Sequence, residues 1–287
     1  MLKGLYFTLK EALWAWNDHE VPRLGAALSF YMMLSLAPLV ILVIAIASVA
    51  FGHHAAQDEI IRQAQTIMGA EGAKAVETVI EHGRNPTGVF ASVIGVITLL
   101  IGASGAFSEL QSALNKIWDV QSNGGSGVAN LIKARLLSFG MVLGVGFLLL
   151  VSLVVSAGLA ALGRFFDAIL PMPEFLMHAI DFVVSFAGIS ALFALIFKYV
   201  PEAKIDWKDV WEGAIVTALL FTIGKSLIGL YLGKAAFGSA YGAAGSLIVV
   251  FVWVYYSAMI FFFGAEIAHV RATDRQSAHA GKASSGR

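Results

Sequence analysis

"GAALSFYMMLSLAPLVILVIAIASVAF", residues Gly25–Phe51, carries no charged side chain from one end to the other. A helix crosses the roughly 30 Å of hydrocarbon in a bilayer with about 20 apolar residues, so this stretch is long enough to span a membrane unaided. Working outward from it, five more stretches of spanning length follow, at 88–107, 136–162, 175–200, 211–232 and 246–269. Backbone groups in hydrocarbon must be satisfied within the segment or in a closed barrel, and these runs are too long and continuous for barrel strands. The expected fold is therefore an all-α membrane protein, a six-transmembrane-helix bundle. The composition agrees: 58% of residues are hydrophobic and 13% charged, about half the charge of a soluble domain. A polar region precedes the first run, unlike the short basic start of a cleavable leader. Ser48-Val49-Ala50 is therefore read as part of a retained span.

Lys and Arg distribution gives the orientation. Thirteen basic residues fall in the two termini and the alternate connections that share their side, against five in the opposite connections, with Lys225 inside the fifth span. The positive-inside rule then puts both termini in the cytoplasm. Residues 1–24, with Leu2, Leu5, Leu9, Leu13 and Trp16 at helical spacing, predict an amphipathic helix at the cytoplasmic interface or packed on the protein. Residues 53–87 hold two short helical patterns separated by Gly69 and Gly72, which predicts an external helical hairpin between spans 1 and 2. The stretch 121–130 reads as a flexible connector, residues 1–270 as one integral membrane domain, and 271–287 as a disordered cytoplasmic tail.

Several functional classes fall away at this stage. Formal net charge is zero and the isoelectric point is about 7.1, so there is no positive field for nucleic acid. Cysteine is absent, and the seven histidines include no HExxH or other metal-ligand cluster; GxSxG, P-loop and dinucleotide fingerprints are missing too. No cofactor, no metal and no catalytic constellation is expected.

Ionisable residues inside spans are the candidate functional groups, because burial in lipid is costly unless they are paired or hydrated. Rise per residue places Glu109 and Glu266 at the cytoplasmic edge of the hydrocarbon, level with Arg23. The expectation is an inner cluster of Arg23, Glu109 and Glu266, with three separately solvated charges as the alternative. At the outer side Asp181 and Lys225 reach equal depth and suggest a pair, joined by His178 three residues before Asp181. Pro38 is expected to kink the first span. Gly102 with Gly105, and Gly140 with Gly144, are spaced for close helix packing, either within one chain or between copies.

Three blocks carry a family resemblance: "ALSFYMMLSLAPL" (Ala27–Leu39), "GASGAFSELQSALNKIWDV" (Gly102–Val120) and "YGAAGSLIVVFVWVYYSAMIFFFGAEIAHV" (Tyr241–Val270). Together the sequence resembles the YihY/BrkB family of bacterial inner-membrane proteins. The resemblance implies a multi-pass protein of the bacterial inner membrane and brings a virulence-related name that describes a phenotype. It also brings the label "ribonuclease BN", which this chain does not support, having neither clustered histidines nor a basic RNA-binding face. The leading functional expectation is a transport or translocation component for an ion, small solute or lipid, with membrane lipids as partners. A non-transporting scaffold for envelope proteins is the alternative, and a membrane-substrate enzyme ranks below both.

Overall fold

The computed structural model describes residues 2–83, 89–120, 174–203, 205–234 and 245–285. All regular structure among them is helical: α1 (Leu2–Asp18), α2 (Val21–Phe51), α3 (His53–Gly83), α4 (Val89–Ile117), α5 (Glu174–Tyr199), α6 (Trp207–Lys234) and α7 (Gly245–Ser285). Two of these hold stretches long and apolar enough to cross a membrane, Val21–Ile44 and Leu247–Arg275, and a shorter apolar stretch runs over Ser185–Tyr199. The expected third span, with Gly140 and Gly144, and the connector 121–130 lie outside the described residues.

α7 is the hub, packing against α1, α2, α3, α4 and α6, while α2 lies against α3, α4 and α7 and α5 lies against α6. The main core joins Val21, Leu24 and Leu28 of α2 to Leu114 and Ile117 of α4, Phe197 of α5, Val210 of α6 and Phe261, Phe262 and Ala265 of α7. Small residues set the closest approaches. A Cβ at Gly102 would stand 2.8 Å from the Ser35 Cβ of α2, and one at Gly105 would strike the Tyr31 ring. Where α6 crosses α7, a Cβ on Gly213 would lie 2.6 Å from the Gly264 carbonyl oxygen, and one on Gly264 would overlap the Thr217 hydroxyl. Backbones meet there as they do at small-residue crossings of membrane helices.

α2 stays helical through Pro38. α3 breaks at Gly69, whose φ of 78° and ψ of −176° are non-helical and accessible to glycine without a Cβ clash. Its two halves fold on each other, with Ala64, Ala73, Val76 and Ile80 packed around Ile44 of α2.

α7 differs from the expectation. It runs 41 residues to Ser285, so the segment after Arg271, expected to be disordered, is helical over residues 271–285. Its first turns are braced: Arg271 Nε pairs with Glu212 Oε2 at 3.0 Å, and Arg275 reaches Asp209 Oδ1 and Glu212 Oε1, both at 2.5 Å. Arg271 and Arg275 are four apart and so share a face, which lets one acidic turn of α6 hold both.

Candidate functional site

The described ends of α1, α4 and α5, the start of α6 and residues 266–275 of α7 gather at one end of the bundle. The polar residues of the α4 extension explain how. Gln111 Nε2 donates to the Val200 carbonyl at 3.4 Å, Asn115 Oδ1 accepts from the Glu202 backbone N–H at 2.8 Å, and Lys116 Nζ donates to Glu20 Oε2 at 3.2 Å. The apolar stripe between them is buried, with Ala113, Leu114 and Ile117 at zero exposure. The α4 extension thus clamps the α5–α6 corner on one side and the α1–α2 corner on the other.

α4 then ends in a Schellman motif, Val120 N–H to Asn115 O at 2.9 Å and Asp119 N–H to Lys116 O at 3.2 Å. Asp119 occupies the left-handed position, φ 50°, where glycine is favoured. That geometry turns its carboxylate toward two imidazoles: Oδ1 lies 3.8 Å from His19 Nε2 and Oδ2 3.7 Å from His269 Nε2. His19 sits at the α1–α2 corner, and its other nitrogen, Nδ1, is 2.7 Å from Glu266 Oε1. Glu266 is wholly buried, one turn before His269 on α7.

Exposure grades steeply along this row: the Asp119 side chain is 74% exposed, His19 17% and Glu266 0%. The His19 and His269 rings stand edge to face with centroids 6.4 Å apart, and Trp118 packs edgewise on His269 at 5.2 Å. Glu266 Oε2, His269 Nδ1 and Trp118 Nε1 are buried without a hydrogen-bond partner among the described residues. Unpaired buried polar atoms of this kind are uncommon and mark sites worth attention.

Two clefts open beside the row. A smaller one of about 280 Å³ is lined by Glu11, Asp18, His19, Asp119, His269 and Asp274. A larger one of about 750 Å³ lies on the α6 side, against Trp118, Asp206, Lys208, Asp209, His269 and Arg275. His269 and Thr273 border both. In the larger cleft, burial pushes the Asp209 carboxyl above the usual aspartate range, with Arg275 opposing that shift. Among the described residues no group of three His, Asp or Glu is placed to hold a metal ion.

The residues picked from the sequence are distributed differently from the expected cluster. Glu266 is central. Arg23 turns away to Glu20 Oε2 at 2.9 Å and is 72% exposed, and Glu109 is half-buried on α4 and lines neither cleft. Arg23, Glu109 and Glu266 therefore do not come together; His19, Asp119 and His269 take the places beside Glu266. On the other side, Lys225 is half-buried on α6. The side chains of His178 and Asp181 lie outside the described residues, and so does their pairing with Lys225.

Two helices long and apolar enough to span a bilayer, with only helices among the described residues, fit the class that the relatives' names give, a membrane protein. The chain belongs to the family described as virulence factor BrkB, whose model matches residues 12–287. Relatives include a UPF0761 membrane protein of Verminephrobacter eiseniae, 31% identical over 60% of this chain and 40% of its own length. A UPF0761 membrane protein of Ralstonia nicotianae is 26% identical over 88% of this chain and 56% of its own. A Bacillus subtilis protein named as ribonuclease-like, YfkH, is 24% identical over 90% of this chain and 93% of its own. The chain thus spans about half the length of the UPF0761 relatives it matches. No solved structure matches it.

Proposed function

We propose that this is a multi-pass protein of the bacterial inner membrane, with six spans and both termini cytoplasmic, that moves an ion, a small solute or a lipid. The observation that carries the reading is Glu266: a carboxylate at zero exposure inside the apolar stretch Leu247–Arg275, bonded to a histidine that lines the smaller of the two clefts. Ionisable groups at membrane depth are expensive to keep and mark pathways by default. The clefts then serve as a cytoplasmic vestibule, because the helix ends that gather there are those that the positive-inside count assigns to one side.

The apolar faces turned outward from α2, α4 and α6 contact lipid, the only obligatory partner in this reading. No part is assigned to nucleic acid, metal or cofactor, and no enzymatic step is assigned to any residue.

Purified protein in liposomes tests the proposal. Efflux of trapped ions and small solutes, and exchange of labelled phospholipid between leaflets, should exceed that of empty vesicles for one of these classes, and Glu266→Gln should reduce it at least tenfold. Vesicles that pass none of them would favour the scaffold alternative.

A further inference from the structure

The row Asp119–His19–Glu266 connects water to the bundle interior through one imidazole. Asp119 is largely solvated, His19 is mostly buried, and Glu266 is sealed. His19 faces the two carboxylates with its two different nitrogens, Nε2 toward Asp119 at 3.8 Å and Nδ1 toward Glu266 at 2.7 Å. An imidazole held this way can accept a proton at one nitrogen and release another from the opposite one. We infer that Glu266 is a proton-binding site loaded from the cytoplasmic surface through His19, with Asp119 as the collecting group. The inference rests on the transport reading only for its use; the site itself is a matter of geometry.

The step balances. A proton arriving from water by way of Asp119 is taken by the His19 Nε2 lone pair, after a movement of about an ångström closes the 3.8 Å gap to hydrogen-bond range. The Nδ1 proton then passes along the existing contact to Glu266 Oε1. His19 ends neutral with its hydrogen on Nε2, and Glu266 ends as a carboxylic acid. No electron moves, and no other reactant is needed.

An independent observation points to the same ligand. Oε2, the second oxygen of Glu266, is buried and has no hydrogen-bond partner among the described residues. A sealed carboxylate with one satisfied oxygen is poorly stabilised as an anion and much less penalised as an acid. The charged groups that face it are few: His19 and Asp18 from the α1–α2 corner and Asp119 from beyond α4. Among the described residues Arg23 and Lys116 pair with Glu20, and Arg271 and Arg275 with Glu212 and Asp209. Among the described residues no Lys or Arg therefore faces Glu266 to hold it permanently ionised, and its charge follows the proton on His19.

The test is infrared difference spectroscopy of the full chain in lipid nanodiscs across a pH titration. The wild type should show a protonated-carboxyl carbonyl band that appears and disappears with pH. Glu266→Gln should lack it, and His19→Gln should displace its midpoint by about one pH unit or more, a tenfold change in proton affinity. A wild type without such a band, a band unchanged in Glu266→Gln, or a midpoint indifferent to His19→Gln would each overturn the inference. Should Glu266→Gln fail to fold, ¹³C-glutamate-labelled wild type compared with His19→Gln carries the same decision. The two readings separate cleanly: a titrating Glu266 in vesicles that move nothing removes the transport proposal and leaves the site, whereas flux without a titrating Glu266 does the reverse.

Discussion

Asp119 is the residue at which stability and use part company. Its left-handed backbone costs an L-residue about 1 kcal/mol that glycine escapes. Its pairings with His19 and His269, at 3.8 and 3.7 Å on a side chain 74% exposed, are worth less than that. Asp119→Gly should accordingly melt at or above the wild-type temperature in detergent, whereas Asp119→Ala, which keeps the strain and loses the carboxylate, should melt below Asp119→Gly. Such a residue, kept where the fold prefers another, is a pointer to function. Sequence reading found Glu266 because an acidic residue interrupts an apolar run, which is a local signal. It missed His19 and Asp119, ordinary polar residues at helix ends, and His269, a lone histidine inside α7. His19 and Glu266 are 247 positions apart, and no periodicity links a corner of the first helix to the last one.

At the scale of elements, the corner clamps and the glycine crossings are separable by experiment. Glu20 accepts a hydrogen bond from Lys116 and lies beside Arg23, which together hold its carboxyl below the usual value of 4.5. A depressed acid contributes stability that is present above its unfolded value and is lost as pH falls through the folded one. Wild-type thermal stability should therefore drop more steeply than that of Glu20→Gln on acidification below about pH 4.5, a difference readable from paired melting curves. At the α6–α7 crossing, Gly264→Ala drives a methyl into Thr217 and should cost about 1–3 kcal/mol. Gly95→Ala on α4, with nothing within 4 Å of the added carbon, should be neutral or gain up to about 1 kcal/mol from helix propensity.

The elements themselves were largely legible. Runs of spanning length and the break at Gly69 are periodic features that survive in a single sequence. The direction taken by the amphipathic end of α4 was not, because a stripe such as Leu110, Leu114 and Ile117 suits lipid and protein equally. Gln111 and Asn115 found partners on a corner about 90 residues away.

For the whole molecule, the informative surface is apolar. Ile215, Leu219, Ile223 and Leu227 form a stripe along α6, and Ile94, Ile97 and Ile101 form one along α4, all at least 46% exposed. Patches of that extent are liabilities in water and ordinary contact area in lipid. Because the chain has no cysteine, single cysteines introduced one at a time map the arrangement without background. In intact spheroplasts a membrane-impermeant maleimide should label Glu77→Cys on α3, leave Asn17→Cys unlabelled until the membrane is opened, and leave Leu219→Cys unlabelled throughout. Labelling of Asn17→Cys from outside would reverse the topology. The expected orientation rests on charge counts alone, because Lys and Arg obey a rule about loops rather than about contacts.

The length of α7 has a mechanical meaning. Forty-one residues make a rod of about 60 Å, twice the hydrocarbon thickness, so in the proposed arrangement part of it extends beyond the bilayer. Arg271 and Arg275 fasten its base to Asp209 and Glu212, and Glu266 sits just inboard of that fastening. The assembly has the form of a lever with its fulcrum at the α6 corner. In that geometry a small rotation of α7 about the fastening is magnified toward Ser285, where an attached fluorophore would report it.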